Sequence, residues 1–388
     1  MTKNKFKLII ILIFFGIFIY LINDFVGFPE YLTITKYSSS LSSQRRPFNE
    51  IEEWQKQNNL NLKYINLTKF EVWRKQKTTK FILIEIPENW GGWCGRLATQ
   101  IWYLAVLYVW GLQINRYPGF VNNTAWTCVG KPNEMEETFP VAYKLFEIFV
   151  ENKDVENNTK FEESHNVSKM VEAKEKYLRI LPPSPQIHDP FKNFRKQIKE
   201  LFSFSNKIRT IVDKYINEIF RNDYSHKLCV YTQLHDFGPP ANSRHHSSRK
   251  DFTEESTKFV FNEIKGKLKN KEISIILLGS DKKFLKNLKF KKIKIKFNFK
   301  WPKRVFIPKN MTRGQDIYFS TKICNTLIIT ASVSTFGWWI GYLLNDIKSQ
   351  IYFYDDFDKD SIFQLKDFPP EWIPLKFNLK TKQIIKGH

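Results

Sequence analysis

Between residues 228 and 354 the sequence alternates apolar runs with helix-like segments, and this alternation restricts the fold more than any other feature. The apolar runs are 228–234, 273–278, 293–297, 305–307, 327–330 and 351–354. Helical patterns separate most of them, among them 251–268, 313–324 and 335–344. Strands that alternate with helices predict a parallel sheet with helices on both faces. Residues 225–388 are therefore predicted to form an α/β lobe.

The preceding part of the chain contains one more strand–loop–helix signal. An apolar run at 81–86 leads through a glycine-rich loop into a buried helical pattern at 96–110. Residues 119–180 show no sustained period and are predicted to be irregular, whereas 191–221 reads as one long helix. We place a lobe boundary after this helix, so that the first lobe spans residues 81–224.

The N-terminus has the pattern of a membrane anchor. Lys3, Lys5 and Lys7 precede an unbroken apolar run at 8–22, and lysines on the near side of such a run place the N-terminus in the cytoplasm. A cleaved signal peptide is the alternative, but no small-x-small cleavage pattern follows the run. The predicted segments are a cytoplasmic tail (1–7), a transmembrane signal anchor (8–26) and a stem (27–80), with everything after the anchor lumenal.

Charge and glycosylation signals bear on the same compartment. The formal net charge of +22 would favour a nucleic-acid partner in a cytosolic protein, but a lumenal body excludes that partner. The lysine-rich stretch at 265–304 is interpreted as a solvated surface. Five asparagines begin N-x-S/T sequons, which are acceptors for N-glycosylation: Asn66, Asn122, Asn157, Asn166 and Asn310.

The four cysteines allow three complete pairings, and the sequence does not choose among them. In an oxidising lumen they can form disulfides. Cys229 and Cys324 lie in apolar elements and are interpreted as core thiols. Cys94 with Cys128 is the pair that we expect first.

A turn rich in hydroxyl residues joins the apolar run at 327–330 to the helical pattern that begins at Ser334 or Thr335. Its side chains include Ser332, Ser334 and Thr335. The first turn of a helix has unpaired backbone N–H groups and the positive end of the helix dipole, which together bind anions. In a parallel sheet the ligand binds outside the carboxyl ends of the strands. A phosphate-binding turn is the functional interpretation, and a plain helix cap is the structural one.

Three segments resemble the α-1,2-fucosyltransferase family, glycosyltransferase family 11, and its nematode members most. The most specific is STFGWWIGYL at 334–343, together with NMTRGQD at 310–316 and Cys324. Gly95-Arg-Leu-Ala-Thr-Gln100 resembles the family's opening G-R-L-G-N-Q motif. The strand from Ile275 to Asp281 resembles the family's strand that ends in a Ser/Gly-Asp turn.

The resemblance implies a GT-B-like α/β fold with two Rossmann-like lobes and a donor cleft between them. It also implies inverting transfer of L-fucose from GDP-fucose to a terminal galactose hydroxyl of a glycoprotein or glycolipid glycan, without a required metal. With the anchor, it implies a single-pass type II protein of the Golgi membrane. The residues that it places at the donor are Ser332, Ser334, Thr335 and Asp281, and those that it places on the cleft loop are Gly95, Arg96 and Gln100.

One motif departs from the family. The family's nucleotide motif is His-x-Arg-Arg-x-Asp, but residues 231–236 read Tyr-Thr-Gln-Leu-His-Asp. Gln233 and Leu234 thus replace two arginines that would bind a diphosphate with charge-assisted bonds. Asp236 remains and is the carboxylate that we would test as the catalytic base, while Arg244 on the following loop is a candidate replacement cation. The alternative function is a catalytically weakened member that binds glycans or partner enzymes in the lumen.

Two polar clusters could be taken for metal sites. His235, His245 and His246 have no tight ligand spacing and are interpreted as a polar loop. The acidic stretch at 355–360 contains D-x-D, which binds manganese in another glycosyltransferase class, but it follows the last apolar run and is interpreted as a solvated turn.

Overall fold

The structure is a computed structural model, and it describes most of the chain after residue 44. The described residues are 45–84, 95–121, 133–149, 153–162, 166–181, 189–234, 237, 245–268, 271–290, 293–295, 298–300, 303–344, 349–357 and 363–387. Residues 55–388 form one compact unit. Residues 1–54 form another, of which the structure describes only the beginning of helix α1 (Arg45–Gln57).

The first part of the larger unit is built on a five-stranded parallel sheet in the order β3-β2-β1-β5-β4. Its strands are β1 (Phe81–Ile84), β2 (Tyr117–Val121), β3 (Glu147–Phe149), β4 (Thr159–Glu162) and β5 (Tyr177–Ile180). Its helices are α2 (Leu67–Lys75), α3 (Leu97–Gln113), α4 (Asn133–Thr138), α5 (Pro140–Leu145), α6 (Lys153–Asn157), α7 (Val167–Glu172), α8 (Arg195–Leu201) and α9 (Asn206–Phe220).

Helix α3 is the core of this part. Every residue from Leu97 to Gly111 is buried, so the helix is apolar all round, as a central helix must be. The predicted helix at 96–110 is therefore observed, although it continues to Gln113 rather than ending at Gly111.

Two predictions for this part of the chain were wrong. Residues 119–180 are not irregular, because they contain most of β2 and all of β3, β4 and β5. The long helix predicted at 191–221 is interrupted: a 3₁₀ turn (Asp189–Phe194) and α8 precede α9. The break falls at Ser205, whose hydroxyl caps α9 by accepting a hydrogen bond from Ile208 N.

The second half of the predicted stem is packed onto the sheet. Glu200 accepts hydrogen bonds from three consecutive backbone N–H groups, those of Lys63, Tyr64 and Ile65, at 2.6–2.8 Å. On α2, Phe70 stacks on Tyr108 and Trp73 meets Tyr117 edge-on, and Tyr108 and Tyr117 are buried core residues. Helix α2 lies within the segment 27–80 that the sequence predicts to be a stem, and its nine residues are too few for a clear helical period.

A seven-stranded sheet forms the rest of the unit, in the order β10-β7-β6-β11-β12-β13-β14. Its strands are β6 (His226–Tyr231), β7 (Ile273–Leu278), β10 (Val305–Phe306), β11 (Thr326–Ile329), β12 (Gln350–Tyr354), β13 (Ile373–Asn378) and β14 (Gln383–Lys386); β8 (Ile293–Ile295) and β9 (Asn298–Lys300) form a separate hairpin. Its helices are α10 (Lys250–Leu268), α11 (Lys282–Asn287), α12 (Arg313–Ile323) and α13 (Thr335–Leu343).

All neighbouring strands of this sheet are parallel except β13 and β14. Leu228 and Val230 point to the core that includes α10. On the opposite face Tyr231 meets Gly337 of α13. The fold is thus a mixed α/β fold with parallel sheets, as the alternation of strands and helices predicts. The hairpin of β13 and β14 was not predicted, because 351–354 was taken as the last clear strand.

Four further expectations concern the lobe boundary, the membrane anchor and the cysteines. The two sheets lie on either side of the lobe boundary placed at 224, but the lobe limits themselves stay a prediction. Among the described residues, no helix combines the length and apolarity of a membrane span, and the predicted anchor at 8–26 lies outside them. Cys229 and Cys324 are not core thiols: they form a disulfide that joins β6 to the end of α12. Cys94 and Cys128 lie outside the described residues.

Tryptophans join the two sheets' helices. Trp102 of α3 packs edge-on against Trp338 and Trp339 of α13, with ring centroids 4.4 and 5.3 Å apart. All three are fully buried. The two tryptophans of STFGWWIGYL therefore hold α13 against the central helix of the first sheet. A second connection is the ion pair of Glu134 in α4 with Arg313 in α12, where Glu134 Oε1 accepts from Arg313 Nε at 2.9 Å.

Trp102→Ala is expected to lower the free energy of unfolding by about 3–5 kcal/mol, because it removes a buried aromatic side chain and leaves a cavity. Urea denaturation followed by circular dichroism measures the change. The control is Tyr224→Ala, which truncates an aromatic residue that is 82% exposed and should change stability by no more than about 0.5 kcal/mol. Equal effects of the two substitutions would contradict the proposed role of Trp102.

Candidate functional site

The strand order of the seven-stranded sheet reverses between β6 and β11, and the carboxyl ends of these two strands mark the candidate crevice. From β6 the chain passes to β7 and then β10 on one side, and it returns to β11 and then β12 on the other. Such a reversal of strand order leaves a gap between the loops that follow the two central strands, and ligands of open α/β sheets bind there. The residues that follow β6 and β11 therefore line the candidate site.

The hydroxyl turn, residues 330–335, follows β11 and opens α13. Ser334 is the N-cap of this helix, and its Oγ accepts a hydrogen bond from Gly337 N at 3.3 Å. The predicted helix start at Ser334 or Thr335 is therefore confirmed. A Cβ at Gly337 would lie 2.7 Å from the Tyr231 ring, so the glycine allows α13 to approach the end of β6.

A chain of hydrogen bonds links the hydroxyl turn to Gln233. Tyr231 Oη lies 3.1 Å from Ser334 Oγ and donates to Gln233 Oε1 at 2.9 Å. The Gln233 backbone N–H donates to Ser248 Oγ at 2.9 Å, and Ser248 Oγ lies 2.7 Å from Thr330 Oγ1. Gln233 thus lies just beyond the carboxyl end of β6, and its side-chain oxygen accepts a hydrogen bond from Tyr231.

Asp355 and Asp356, the first two aspartates of the acidic stretch after β12, are largely buried rather than solvated, and Asp356 belongs to this site; Asp358 and Asp360 lie outside the described residues. Asp356 has only 12% of its side chain exposed. One carboxylate oxygen accepts from Ser332 Oγ at 2.5 Å, and the other lies 3.0 Å from Nδ1 of His246. His246, on the polar loop before α10, is thus joined to Asp356, a contact that the sequence analysis does not predict. Among the described residues, no group of three or more His, Cys, Asp or Glu side chains is placed to hold a metal ion.

The end of β7 forms one wall of the crevice. Gly279 has φ +141°, and a Cβ there would lie 2.4 Å from Thr232 Oγ1, so only glycine fits this approach. Asp281 follows at the predicted sheet edge and caps α11 by accepting from Phe284 N at 2.8 Å. Its carboxylate thus has a structural role besides any contact with a ligand.

Asp316 is a carboxylate that the choice of site residues missed, although it stands in the NMTRGQD segment. It lies in the first turn of α12. Burial raises the pKa of Asp316 to about 7, and Lys282 opposes this rise. Burial also raises the pKa of the Tyr231 hydroxyl; the Ser334 hydrogen bond and Arg96 lower it, and Asp316 raises it. Asp316 therefore acts electrostatically on the crevice itself.

The first sheet contributes the loop before α3. Gly95 has φ +72°, and Gln100 Nε2 donates to its carbonyl at 3.4 Å. Arg96 is exposed at the N-cap of α3, within electrostatic reach of the Tyr231 hydroxyl. The structure therefore brings Arg96 toward the crevice of the other sheet, while Gly95 and Gln100 shape the loop.

Several residues that the sequence singles out give no structural evidence about the site. His235, Asp236 and Arg244 lie outside the described residues. Arg249, a second loop arginine, is paired with Asp251 by hydrogen bonds of 3.2 and 3.0 Å. Of the sequon asparagines, Asn66, Asn157, Asn166 and Asn310 are exposed, and Asn122 lies outside the described residues.

The crevice at a reversal of strand order, the helix N-terminus and the surrounding hydroxyl groups are typical of α/β proteins that bind a nucleotide or another phosphorylated ligand.

Comparison with known proteins shows which proteins this chain is similar to. No family model matches the chain. A Caenorhabditis elegans protein, svh-11, assigned by name to the galactoside 2-alpha-L-fucosyltransferases, is 27% identical over 296 residues, which cover 73% of this chain and 77% of that protein.

A second C. elegans protein, C06E1.7, assigned by name to the glycosyltransferases, is 26% identical over 312 residues, or 75% of this chain and 80% of that one. The predicted resemblance to the α-1,2-fucosyltransferase family is confirmed by these relatives. Among solved structures, a mutant of Arabidopsis thaliana FUT1 in complex with GDP is 14% identical with a TM-score of 0.46, covering 91% of this chain and 88% of that one. A likeness this weak establishes neither fold nor activity.

Asp316→Asn is expected to stabilise the protein at pH 8. The folded-state pKa of about 7 lies above the ordinary value of 3.8, so between these values the folded state retains a proton that the unfolded state has lost. Stability therefore falls as pH rises from about 4 to 7. Because Asp316 is partly exposed, the gain should be on the order of 1 kcal/mol and should vanish near pH 4.

The control is Asp251→Asn, for which the opposite sign is expected. Hydrogen bonds from Arg249, and then Lys382, outweigh burial and lower the pKa of Asp251, so its substitution should destabilise the protein at pH 8. Urea midpoints measured from pH 4 to 8 test both variants. A loss of stability in Asp316→Asn at pH 8 would contradict the raised pKa.

Proposed function

We propose that this protein is a GT-B-like fucosyltransferase that transfers L-fucose from GDP-fucose to a galactose hydroxyl of a glycoprotein or glycolipid glycan, with inversion and in α-1,2 linkage. The observation that carries the proposal is the hydroxyl turn: the segment most specific to the resembling family opens a helix at the strand-order crevice. The fucosyltransferase-like relatives support the donor and the linkage. The two parallel sheets joined through Trp102 support a two-lobed arrangement with the crevice facing the first lobe.

In this proposal the hydroxyl turn binds the diphosphate. Ser334, Thr335 and the first backbone N–H groups of α13 supply donors at the positive end of the helix dipole. Asp316 is suited to the guanine, because the N1–H and N2–H groups of that base are donors and a carboxylate is an acceptor only. A ligand that donates two hydrogen bonds there would compensate the burial that raises the pKa of Asp316.

The transfer needs few protein groups beyond these. The acceptor oxygen attacks C1 of fucose from the face opposite the diphosphate, and the C1–O bond to the β-phosphate breaks as the new bond forms. Donors around the leaving diphosphate stabilise the negative charge that it gains. Asp236 stays the proposed base for the acceptor proton, and no metal is required in this scheme.

We also propose that the protein is a single-pass type II protein of the Golgi membrane with its catalytic part in the lumen. The lysine-flanked apolar run at 8–22 is the main support. The Cys229–Cys324 disulfide and the exposure of four sequon asparagines fit an oxidising, glycosylating compartment.

A second candidate function is supported by the motif at the end of β6. Gln233 and Leu234 stand where the family has arginines, and the oxygen of Gln233 is bound to Tyr231. A protein without a strong phosphate contact there could bind glycans or partner enzymes with little turnover. Measured turnover of GDP-fucose with a galactoside acceptor separates the two candidates.

Replacing Ser334 and Thr335 together with Ala is expected to weaken GDP binding by several-fold to about a hundredfold, because neutral hydrogen bonds contribute about 0.5–1.5 kcal/mol each. Isothermal titration calorimetry of the lumenal part with GDP measures the effect. Ser205→Ala is the matched control, because it removes the same kind of cap from α9. It should lower the free energy of unfolding by about 1 kcal/mol without weakening GDP binding. Unchanged GDP affinity in the double variant would assign the hydroxyl turn to structure alone.

Endoglycosidase treatment is expected to increase the gel mobility of the protein expressed in animal cells, since four sequon asparagines are exposed. Replacing Asn66, Asn157, Asn166 and Asn310 together with Gln should remove most of that shift. A protein with no mobility change, recovered in the cytosol, would refute the lumenal placement.

A further inference from the structure

The crevice holds a diphosphate poorly unless a cation compensates for the missing arginines. A leaving diphosphate gains negative charge, and charge-assisted hydrogen bonds are the strong ones. Two nearby cations have other partners. Arg249 is paired with Asp251, and Lys282 donates to the Gly279 carbonyl at 3.2 Å beside Asp316. Arg96 acts on the crevice from the loop of the first sheet, whereas His246 lies on a loop that is fixed to the end of β6 itself.

His246 lies on a loop that is attached to Gln233, one of the two positions where the family has an arginine. Two residues further along, Ser248 is held against Gln233 by two hydrogen bonds: Gln233 N donates to Ser248 Oγ at 2.9 Å, and Ser248 N donates to the Gln233 carbonyl at 2.8 Å. The loop that carries His246 is thereby fixed to the end of β6. Of the His246 side chain, 42% is exposed, so a ligand in the crevice can reach the ring.

Asp356 fixes the imidazole and favours its charged form. Its Oδ2 lies 3.0 Å from His246 Nδ1, while its Oδ1 accepts from Ser332 Oγ at 2.5 Å. The same carboxylate thus joins the histidine to the hydroxyl turn. A carboxylate bound at Nδ1 orients the ring, so that a ligand would meet it at Nε2, and it stabilises the protonated form.

Other charged groups face this pair. Arg249 and Asp355 lie within electrostatic reach of Asp356. Asp355 is itself paired with Lys376 at 3.6 Å, and His245 neighbours His246 on the same loop. Asp356 is the carboxylate in direct contact with the ring.

We propose that His246, positioned by Asp356, binds the diphosphate of the donor as an imidazolium and replaces the arginine that Gln233 lacks. The proposal rests on the proposed function. As the acceptor oxygen bonds to C1, the electron pair of the broken C1–O bond stays on the β-phosphate oxygen, and the acceptor proton passes to the base or solvent. The imidazolium donates a hydrogen bond to the diphosphate throughout and keeps its proton. Asp356 is a positioning residue, since it acts through His246.

The experiment compares GDP with guanosine, which lacks the phosphates, by calorimetry of the lumenal part from pH 5.5 to 8.5. For the wild type, the affinity for GDP but not for guanosine should fall at high pH as the imidazolium loses its proton. His246→Gln should weaken GDP binding by about tenfold to a hundredfold at pH 6 and leave guanosine binding unchanged. His246→Arg should restore GDP binding and retain it at pH 8.5.

Asp356→Asn tests the positioning role. It should move the fall in GDP affinity to lower pH, because the imidazolium loses its carboxylate. A merely structural role would lower the affinity at all pH values alike. The matched control is His226→Gln: His226 begins β6 at the opposite edge of the sheet, where its Nε2 lies 3.0 Å from Thr326 Oγ1, and its substitution should leave GDP affinity unchanged.

The outcomes separate this proposal from the proposed function. If the wild type binds no GDP, both fail. If it binds GDP and folded His246→Gln binds GDP equally well at pH 6, or loses guanosine to the same extent, only the role of His246 is refuted. If His246→Gln does not fold, His246→Arg and Asp356→Asn decide: an unchanged pH dependence in both overturns the proposal.

Discussion

The packing of Trp102 against Trp338 and Trp339 is the contact on which the rest of the structure depends. It joins the most buried helix of the first sheet to the helix that opens at the crevice. The tryptophan rings contact one side of α13. On another side, the absence of a Cβ at Gly337 lets the helix approach Tyr231 of β6 closely. These two contacts together position the N-terminus of α13 relative to β6. The segment STFGWWIGYL therefore contains both the hydroxyl groups at the start of α13 and, one turn further along, the aromatic side chains that position the helix.

The crevice itself is built from hydrogen bonds that join the end of β6 to residues further along the sequence. Tyr231 bridges Ser334 and Gln233, and Ser248 bridges Gln233 and Thr330. A buried network in which each member has a partner rigidifies the site that it surrounds. The replacement of the motif's arginines is therefore accompanied by a consistent local arrangement, in which Gln233 has a partner that a longer, charged side chain would displace.

Much of this lobe could be predicted from the sequence because its signals are local. The strands β6, β7 and β11 are predominantly apolar, and the start of α13 follows from a hydroxyl residue before an apolar helix. The contact of His246 with Asp356 could not be predicted, since 110 residues separate the two side chains. The Cys229–Cys324 disulfide, which spans 95 residues, was missed for the same reason.

In the first sheet, the strands β3 and β4 are too short for the two-residue period of a strand to be recognised in the sequence. Their pairing depends on neighbouring strands rather than on their own sequence. The N-terminal boundary shows the same effect and has a practical consequence. A soluble fragment cut at residue 81, where the first strand begins, would lose the backbone that Glu200 binds and would expose the rings of Tyr108 and Tyr117 to water. A fragment that starts near residue 55 keeps these contacts, because the compact unit that contains both sheets begins before the predicted first lobe.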